Sequence, residues 1–218
     1  MNTEEQRQQE IAKILLEKEA VIISPTKPFT YTSSMKSPIY CDNRALLSFQ
    51  DARDKIIDAM LHIIGQKVQD FDIIAGVATA GIPWASILAD RLEKPLIYVR
   101  AKPKEHGREN MIEGKLENGQ KVLVIEDLIS TGGSSLKAIE AVEQAGGRVE
   151  YCIAVFTYEM KKAKEAFARN NCSLLTTTKF STLVQQATAM RKITQEQEEV
   201  MLQWNQDPEK WAAKHGFE

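Results

Sequence analysis

The stretch "KVLVIEDLISTGGSSLKAIEAVEQAGG", Lys121–Gly147, decides the fold. An apolar run, Val122–Ile125, meets two adjacent acids, Glu126 and Asp127. Leu128 and Ile129 follow, and then a loop of hydroxyls and glycines, Ser130–Ser135. Leu136, Ile139 and Val142 recur at helical spacing, and Gly146-Gly147 closes the helix. The same order of strand, polar loop and helix is found on both sides. Upstream, "FDIIAG" reads as a short buried strand, and "VATAGIP" as a loop of small residues with Pro83 at the start of a helix. "PLIYV" is the next strand. Downstream, "VEYCIAVF" and "SLLTTT" read as strands separated by a helix over 159–170. This alternation predicts βαβ units and a parallel sheet. The Asn118-Gly119 turn signal predicts a hairpin over 114–125 that leads into the central strand.

The flanks carry a different texture. A first helix runs into the strand "AVIIS", and 27–43 mixes prolines, hydroxyls and short β-like pieces, which predicts an irregular sheet or lid. Ser48 is read as the cap of a second helix, with Phe49, Ala52, Ile56, Met60 and Ile63 on one face. Near the other end, Thr194 and Gln197 form a capping box, and Asp207-Pro208 opens a last short helix. Trp204 and Trp211 suit the packing of these C-terminal helices. The expected organisation is an N-terminal region of helices and hood over 1–70, an α/β core over 71–178, and a helical C-terminal extension over 179–218 packed on the same domain.

Bulk properties narrow the function. The chain has 218 residues, 43% hydrophobic and 27% charged, so a packed core is expected. A net charge of −2 argues against a general nucleic-acid coat. No apolar run is long enough for a membrane helix. "MNTEEQRQQE" is unlike a signal peptide. Cys41, Cys152 and Cys172 have neither metal-ligand spacing nor an even count, which fits reduced thiols in the cytoplasm.

The loop Ser130–Ser135 sits between a strand and a helix start, where unpaired backbone N–H groups and the helix dipole favour an anion. Gly132 and Gly133 permit close approach, and Ser130, Thr131 and Ser134 add hydroxyl donors, so a phosphate monoester fits. Neither G-x-G-x-x-G nor G-x-x-x-x-G-K-[ST] is present, which excludes the usual dinucleotide and triphosphate loops. Glu126 and Asp127 would repel phosphate but accept hydrogen bonds from vicinal hydroxyls. A sugar phosphate satisfies both features, with its phosphate in the loop and its ribose hydroxyls over the acids. Arg100, Lys102, Lys104, His106 and Arg108 gather positive charge beside Gly107, suited to a departing anion.

With these residues in place, "VLVIEDLISTGGSS" resembles the phosphoribosyl-pyrophosphate motif of the type I phosphoribosyltransferases. Further segments are similar to the orotate branch of that family. They are "YVRAKPKEHGRENMIEGK" for its catalytic loop, "FTYTSSMKSPIYCDNR" for its N-terminal lid and "GVATAGIPWA" for its pyrophosphate loop. The resemblance covers roughly residues 20–160. It implies a parallel sheet flanked by helices, with an N-terminal hood and a helical C-terminal extension. It further implies transfer of phosphoribose from 5-phosphoribosyl 1-diphosphate to orotate, with Mg2+ held mainly through that substrate and water near Asp127. The implied catalytic residues are Lys104, His106, Glu126 and Asp127. The donor would touch these four together with Arg100, Thr79, Ala80, Leu128, Ile129, Ser130, Thr131, Gly132, Gly133 and Ser134. The base would be bordered by Ser130, Lys36, Tyr40 and Arg44. The resemblance also implies a homodimer whose active-site loop is shared between subunits, with no nucleic acid and no membrane as partners. Thr79 and Ala80 stand where the family often has an aromatic residue and a lysine. No arginine lies near Thr157 and Tyr158, where some members bind the base's carboxylate, and Arg44 is the candidate substitute. A purine phosphoribosyltransferase, or a regulator of the same fold that binds RNA or DNA, is the alternative.

Overall fold

The computed structural model describes residues 3–31, 34–102 and 111–217. Helix α1 (Thr3–Glu17) precedes four short strands, β1 (Val21–Ile23), β2 (Phe29–Thr30), β3 (Lys36–Ser37) and β4 (Ile39–Cys41). A 3-10 helix over Asn43–Ser48 leads into α2 (Gln50–Lys67). The core then runs β5 (Ile73–Val77), α3 (Gly81–Arg91), β6 (Leu96–Val99), β7 (Ile112–Glu113), β8 (Lys121–Ile129), α4 (Gly133–Gln144), β9 (Arg148–Thr157), α5 (Lys161–Arg169) and β10 (Ser173–Lys179). Helices α6 (Phe180–Ala189), α7 (Gln195–Gln206) and α8 (Pro208–Lys214) follow.

The main sheet has the order β10-β9-β8-β5-β6-β7. Its strands are parallel except β7, which pairs antiparallel with β6 at the edge. Two small antiparallel pairs, β1 with β4 and β2 with β3, form the hood. The central strands read as almost continuous apolar runs because both sheet faces are covered. On β8, Leu123 and Ile125 belong to the core beneath α1, α2, α3 and the C-terminal helices, whereas Val122 and Val124 belong to the core beneath α4 and α5. On β9, Ile153 and Val155 face the first core, and Cys152 and Ala154 the second. This is the period-two alternation of a strand buried on both sides.

The topology places a crevice. From β5 the chain goes through α3 to β6 on one side, then crosses back to β8 on the other side of β5. Open α/β sheets bind ligands at such a reversal, outside the carboxyl ends of the strands. The β5–β8 pairing ends at Gly76 and Ile125, while β8 continues against β9 as far as Ile129 and Thr157. The acids therefore lie within the strand, on a stretch that no longer has β5 beside it.

Two expectations are corrected. The hairpin over 114–125 is not formed: β8 lies between parallel neighbours on both edges, so no antiparallel partner has room beside it. The Asn118-Gly119 turn does exist. Gly119 has φ 87°, and its N–H donates to the Gly146 carbonyl at 2.7 Å, docking the turn onto the α4–β9 connection. Ser48 does not cap α2. It ends the 3-10 helix, whose own cap is the Asp42 carboxylate accepting from the Arg44 N–H, and Phe49 precedes α2 without a side-chain cap.

Helix α3 meets β8 through Gly81, where a Cβ would lie 2.5 Å from the Ile125 carbonyl oxygen and 3.2 Å from Glu126 Cα. Gly81→Ala is expected to cost about 1–3 kcal/mol through overpacking against backbone. Gly65, exposed in α2 with nothing within 4 Å of its absent Cβ, is the contrast. Gly65→Ala is expected to gain about 0.5–1 kcal/mol from helix propensity. Chemical denaturation of the two variants reads opposite signs.

Candidate active site

Glu126 and Asp127 occupy the part of β8 that has outrun β5. Glu126 is only 5% exposed. Its Oε2 accepts from Ser135 Oγ at 3.0 Å and lies 3.5 Å from Ser134 Oγ, and its Oε1 accepts from the Asp127 N–H at 3.1 Å. Burial, and then the neighbouring Asp127 charge, push the Glu126 carboxyl well above the usual carboxylate range. Burial also raises Asp127. From the hood side, buried Asn43 donates from Nδ2 to the Asp127 carbonyl at 2.8 Å, and Cys41 Sγ donates to Asn43 Oδ1 at 3.3 Å.

The loop after β8 is shaped for close approach. Gly132, at φ 82°, stands at the N-cap of α4, and no side chain caps the helix there. The first-turn amides of Gly133, Ser134 and Ser135 face the crevice end of the helix, the geometry that receives an anion. The positive φ calls for glycine there, and a Cβ on Gly132 would also press on the Phe167 ring at 3.0 Å.

A cleft of about 320 Å³ brings Glu126, Asp127, Leu128 and Ser134 together with Thr79 and Ala80 of the β5–α3 loop and with Arg44. Arg44 is exposed and forms a two-pronged ion pair with Asp42, Nε–Oδ1 at 2.7 Å and Nη2–Oδ2 at 2.9 Å. A second cleft of about 360 Å³ shares Ala78 and Ser134 with the first and adds Arg100, Gly133 and Lys137. Arg100 Nη1 lies 3.4 Å from Glu113 Oε1. Thr131 lines a separate groove with Met35 and the α7–α8 corner. Lys36 and Tyr40 lie on the hood outside the acid cleft: Lys36 Nζ donates to Thr30 Oγ1 at 3.2 Å, and Tyr40 packs on Phe29 with ring centroids 5.8 Å apart. Ser130 follows β8 directly. The Ile129 side chain is buried, and its carbonyl accepts from the Tyr158 N–H at 2.9 Å. Lys104 and His106 lie outside the described residues.

Asn43, Ser135 and Lys137 were not singled out by the sequence. Ser135 had a signal, since it lies inside the hydroxyl loop. Asn43 had none, because its partner is 84 positions away.

A strand-borne acid pair beside an uncapped, glycine-led helix start at a sheet reversal is the arrangement of a phosphoribosyl-binding protein. Residues 44–185 match the phosphoribosyl transferase domain, and the chain belongs to that family. Its relatives place it within the orotate phosphoribosyltransferases. It is 47% identical over 204 residues to the orotate phosphoribosyltransferase of Listeria monocytogenes serovar 1/2a, covering 94% of this chain and 98% of the relative. The Coxiella burnetii orotate phosphoribosyltransferase is 46% identical over 202 residues, with 93% and 97% covered. Among solved structures, the Aeropyrum pernix orotate phosphoribosyltransferase superposes with a TM-score of 0.74 at 32% identity, covering 82% of this chain and 98% of that one.

The raised Glu126 carboxyl has a consequence for stability. The folded state holds its proton to higher pH than the unfolded chain does. The native protein therefore binds more protons above the ordinary glutamate value of about 4.3, and stability falls as pH rises from there to the raised native value. Below that range the carboxyl contributes no penalty. Glu126→Gln is expected to flatten this fall, with its stability gain over the parent absent at acid pH and growing toward neutrality. Denaturation midpoints measured across pH check the sign.

Proposed function

We infer that the chain is an orotate phosphoribosyltransferase, transferring phosphoribose from 5-phosphoribosyl 1-diphosphate to orotate. The products are orotidine 5'-phosphate and pyrophosphate, in pyrimidine biosynthesis. The observation that carries the reading is the meeting of the Glu126–Asp127 pair with the uncapped first turn of α4 at one crevice. The 5-phosphate accepts hydrogen bonds from the amides and hydroxyls of Ser130–Ser134. The ribose hydroxyls hydrogen-bond to the two acids, Asp127 and Glu126, of which Glu126 is the one whose charge burial disfavours most. As the bond to pyrophosphate loosens, positive charge develops on the ribose ring, and the Asp127 carboxylate, joined by Glu126 once that carboxyl has lost its proton, stabilises this charge more than the ground state. The backbone of Thr79 and Ala80 borders the leaving group. Arg100, Lys104 and His106 neutralise it, with Lys104 the principal cation and His106 able to move a proton. Lys36, Tyr40, Arg44 and Ser130 border the base, whose ring nitrogen captures the ribose.

The donor set fits magnesium held mainly by substrate. Among the described residues no group of three or more His, Cys, Asp and Glu could hold a metal ion. Asp127, opening on the cleft, suits a hard cation that keeps substrate oxygens and water as its remaining ligands. When bound, magnesium offsets the negative charge of the pyrophosphate.

We also propose a homodimer in which the segment after β6 reaches the partner's cleft, as the family resemblance implies. A cytoplasmic setting agrees with three cysteines that are all free thiols. Among the described residues no helix is long and apolar enough to cross a membrane. The net charge of −2 speaks against nucleic acid as a partner.

Supplying phosphoribosyl pyrophosphate and magnesium with orotate, uracil, adenine or hypoxanthine in turn tests the reading. Pyrophosphate release is expected with orotate, and release only with a purine would overturn it. Lys104→Ala is expected to lower kcat by about 10²–10³ with the melting temperature unchanged. Asp127→Asn is expected to lose a similar factor of about 10²–10³. It should nevertheless melt no lower than the parent, because the amide removes a charge that burial disfavours.

A further inference from the structure

The C-terminal helices take no part in the chemistry above, yet α7 reaches both sides of the site. Trp204 is fully buried. Its ring meets Tyr158 edge-on, with centroids 5.6 Å apart, and tilts against Phe180 at 5.5 Å. Its indole N–H donates to the carbonyl of Lys36, on hood strand β3, at 3.0 Å. The next residue, Asn205, donates from Nδ2 to the carbonyl of Tyr158. Tyr158 in turn is fixed to the end of β8, because its N–H donates to the Ile129 carbonyl at 2.9 Å, one residue before the phosphate loop begins. Its hydroxyl lies 3.1 Å from that of Tyr31, which donates to the Ile39 carbonyl at 2.7 Å. Two adjacent residues of α7 therefore bind the hood strand and the floor of the site at once. The α7–α8 corner also flanks Met35 of the hood and Thr131 of the phosphate loop across a groove of about 410 Å³.

We propose that Trp204 and Asn205 are positioning residues that hold hood strand β3, and with it Lys36, over the phosphate loop, and so set the affinity for the base. The proposal rests on the reading of Lys36 and Tyr40 as bordering the base. The β2–β3 pair has only two residues in each strand, and so short a pair is marginal in water by itself. The Trp204 bond supplies a fixed point from a helix anchored in the main core.

Trp211 provides a control for the indole hydrogen bond, in a helix, α8, that also packs against β3. It too is buried, and its indole N–H donates to a backbone carbonyl, that of Val200 at 2.8 Å, but this bond closes within the C-terminal helices. Trp204→Phe and Trp211→Phe each keep a ring and lose one indole donor. Both are expected to lower the melting temperature to a similar extent. Only Trp204→Phe is expected to raise the KM for orotate, by about three- to tenfold, the range that one lost hydrogen bond gives. The KM for phosphoribosyl pyrophosphate should stay within about twofold. Asn205→Ala should show the same division between substrates, and it decides the matter by the same criterion if Trp204→Phe does not fold. Hydrogen exchange over 34–41 should quicken in the Trp204 variant and not in the Trp211 variant. An unchanged orotate KM in Trp204→Phe, or an equal rise in both tryptophan variants, would overturn the proposal. Failure of the parent enzyme to consume orotate would instead refute the activity, and hydrogen exchange alone would then decide whether the hood is held by α7.

Discussion

The site depends on one mismatch of length. Strand β8 continues past the point where β5 turns away into α3, so its last residues have a neighbour on one side and open space on the other. A polar residue in the fully paired part of β8 would be buried between two strands and two helical layers. Past Ile125, the same strand can carry carboxylates toward a ligand while β9 still holds its backbone straight. Glu126 shows the cost of that position, because it is almost fully buried and its charge is disfavoured. Ser135, reaching back from the first turn of α4, supplies its compensating hydrogen bond. The acids and the start of α4 are thus mechanically one unit, joined by the Glu126–Ser135 bond.

The hood and the C-terminal helices are held differently. The hood strands have two or three residues each and pair only with one another. Val21 and Ile39 anchor them in the main core, and three long-range hydrogen bonds add direction: Asn43 to the Asp127 carbonyl, Tyr31 to Tyr158, and Trp204 to the Lys36 carbonyl. A sheet edge distributes its bonding over many equivalent groups, so loss of one is shared. Polar orientation of the hood rests on far fewer bonds, so loss of one is shared less widely.

Much of this was legible in the sequence. Apolar runs with glycine-rich or small-residue connections gave the parallel sheet, and the adjoining acids and hydroxyls gave a sugar-phosphate site, because those patterns are local. The errors were also local in origin. The Asn118-Gly119 turn forms, but a turn signal does not say which strand lies beside it, and the two apolar faces of β8 chose β5 and β9 instead. Ser48 has the right chemistry for a cap, but Asp42 had already begun the turn. Asn43 and Trp204 were beyond reach for another reason. Their partners are 84 and 168 positions away, and nothing near either residue names them. Orotate as the acceptor came from resemblance, since the residues alone indicate a ribose phosphate without choosing its base.

The contact between Gly81 and the Ile125 carbonyl has a further meaning. Where two main chains touch with no side chain between them, there is no rotamer to turn and no gap to close. The start of α3, the Thr79–Ala80 loop and the acid-bearing end of β8 therefore move as one solid base. A bulkier guest cannot be admitted by spreading that base apart. Room for guests of different size would have to come from the hood side of the cleft, where Cys41, Asp42 and Arg44 line it with side chains that can turn.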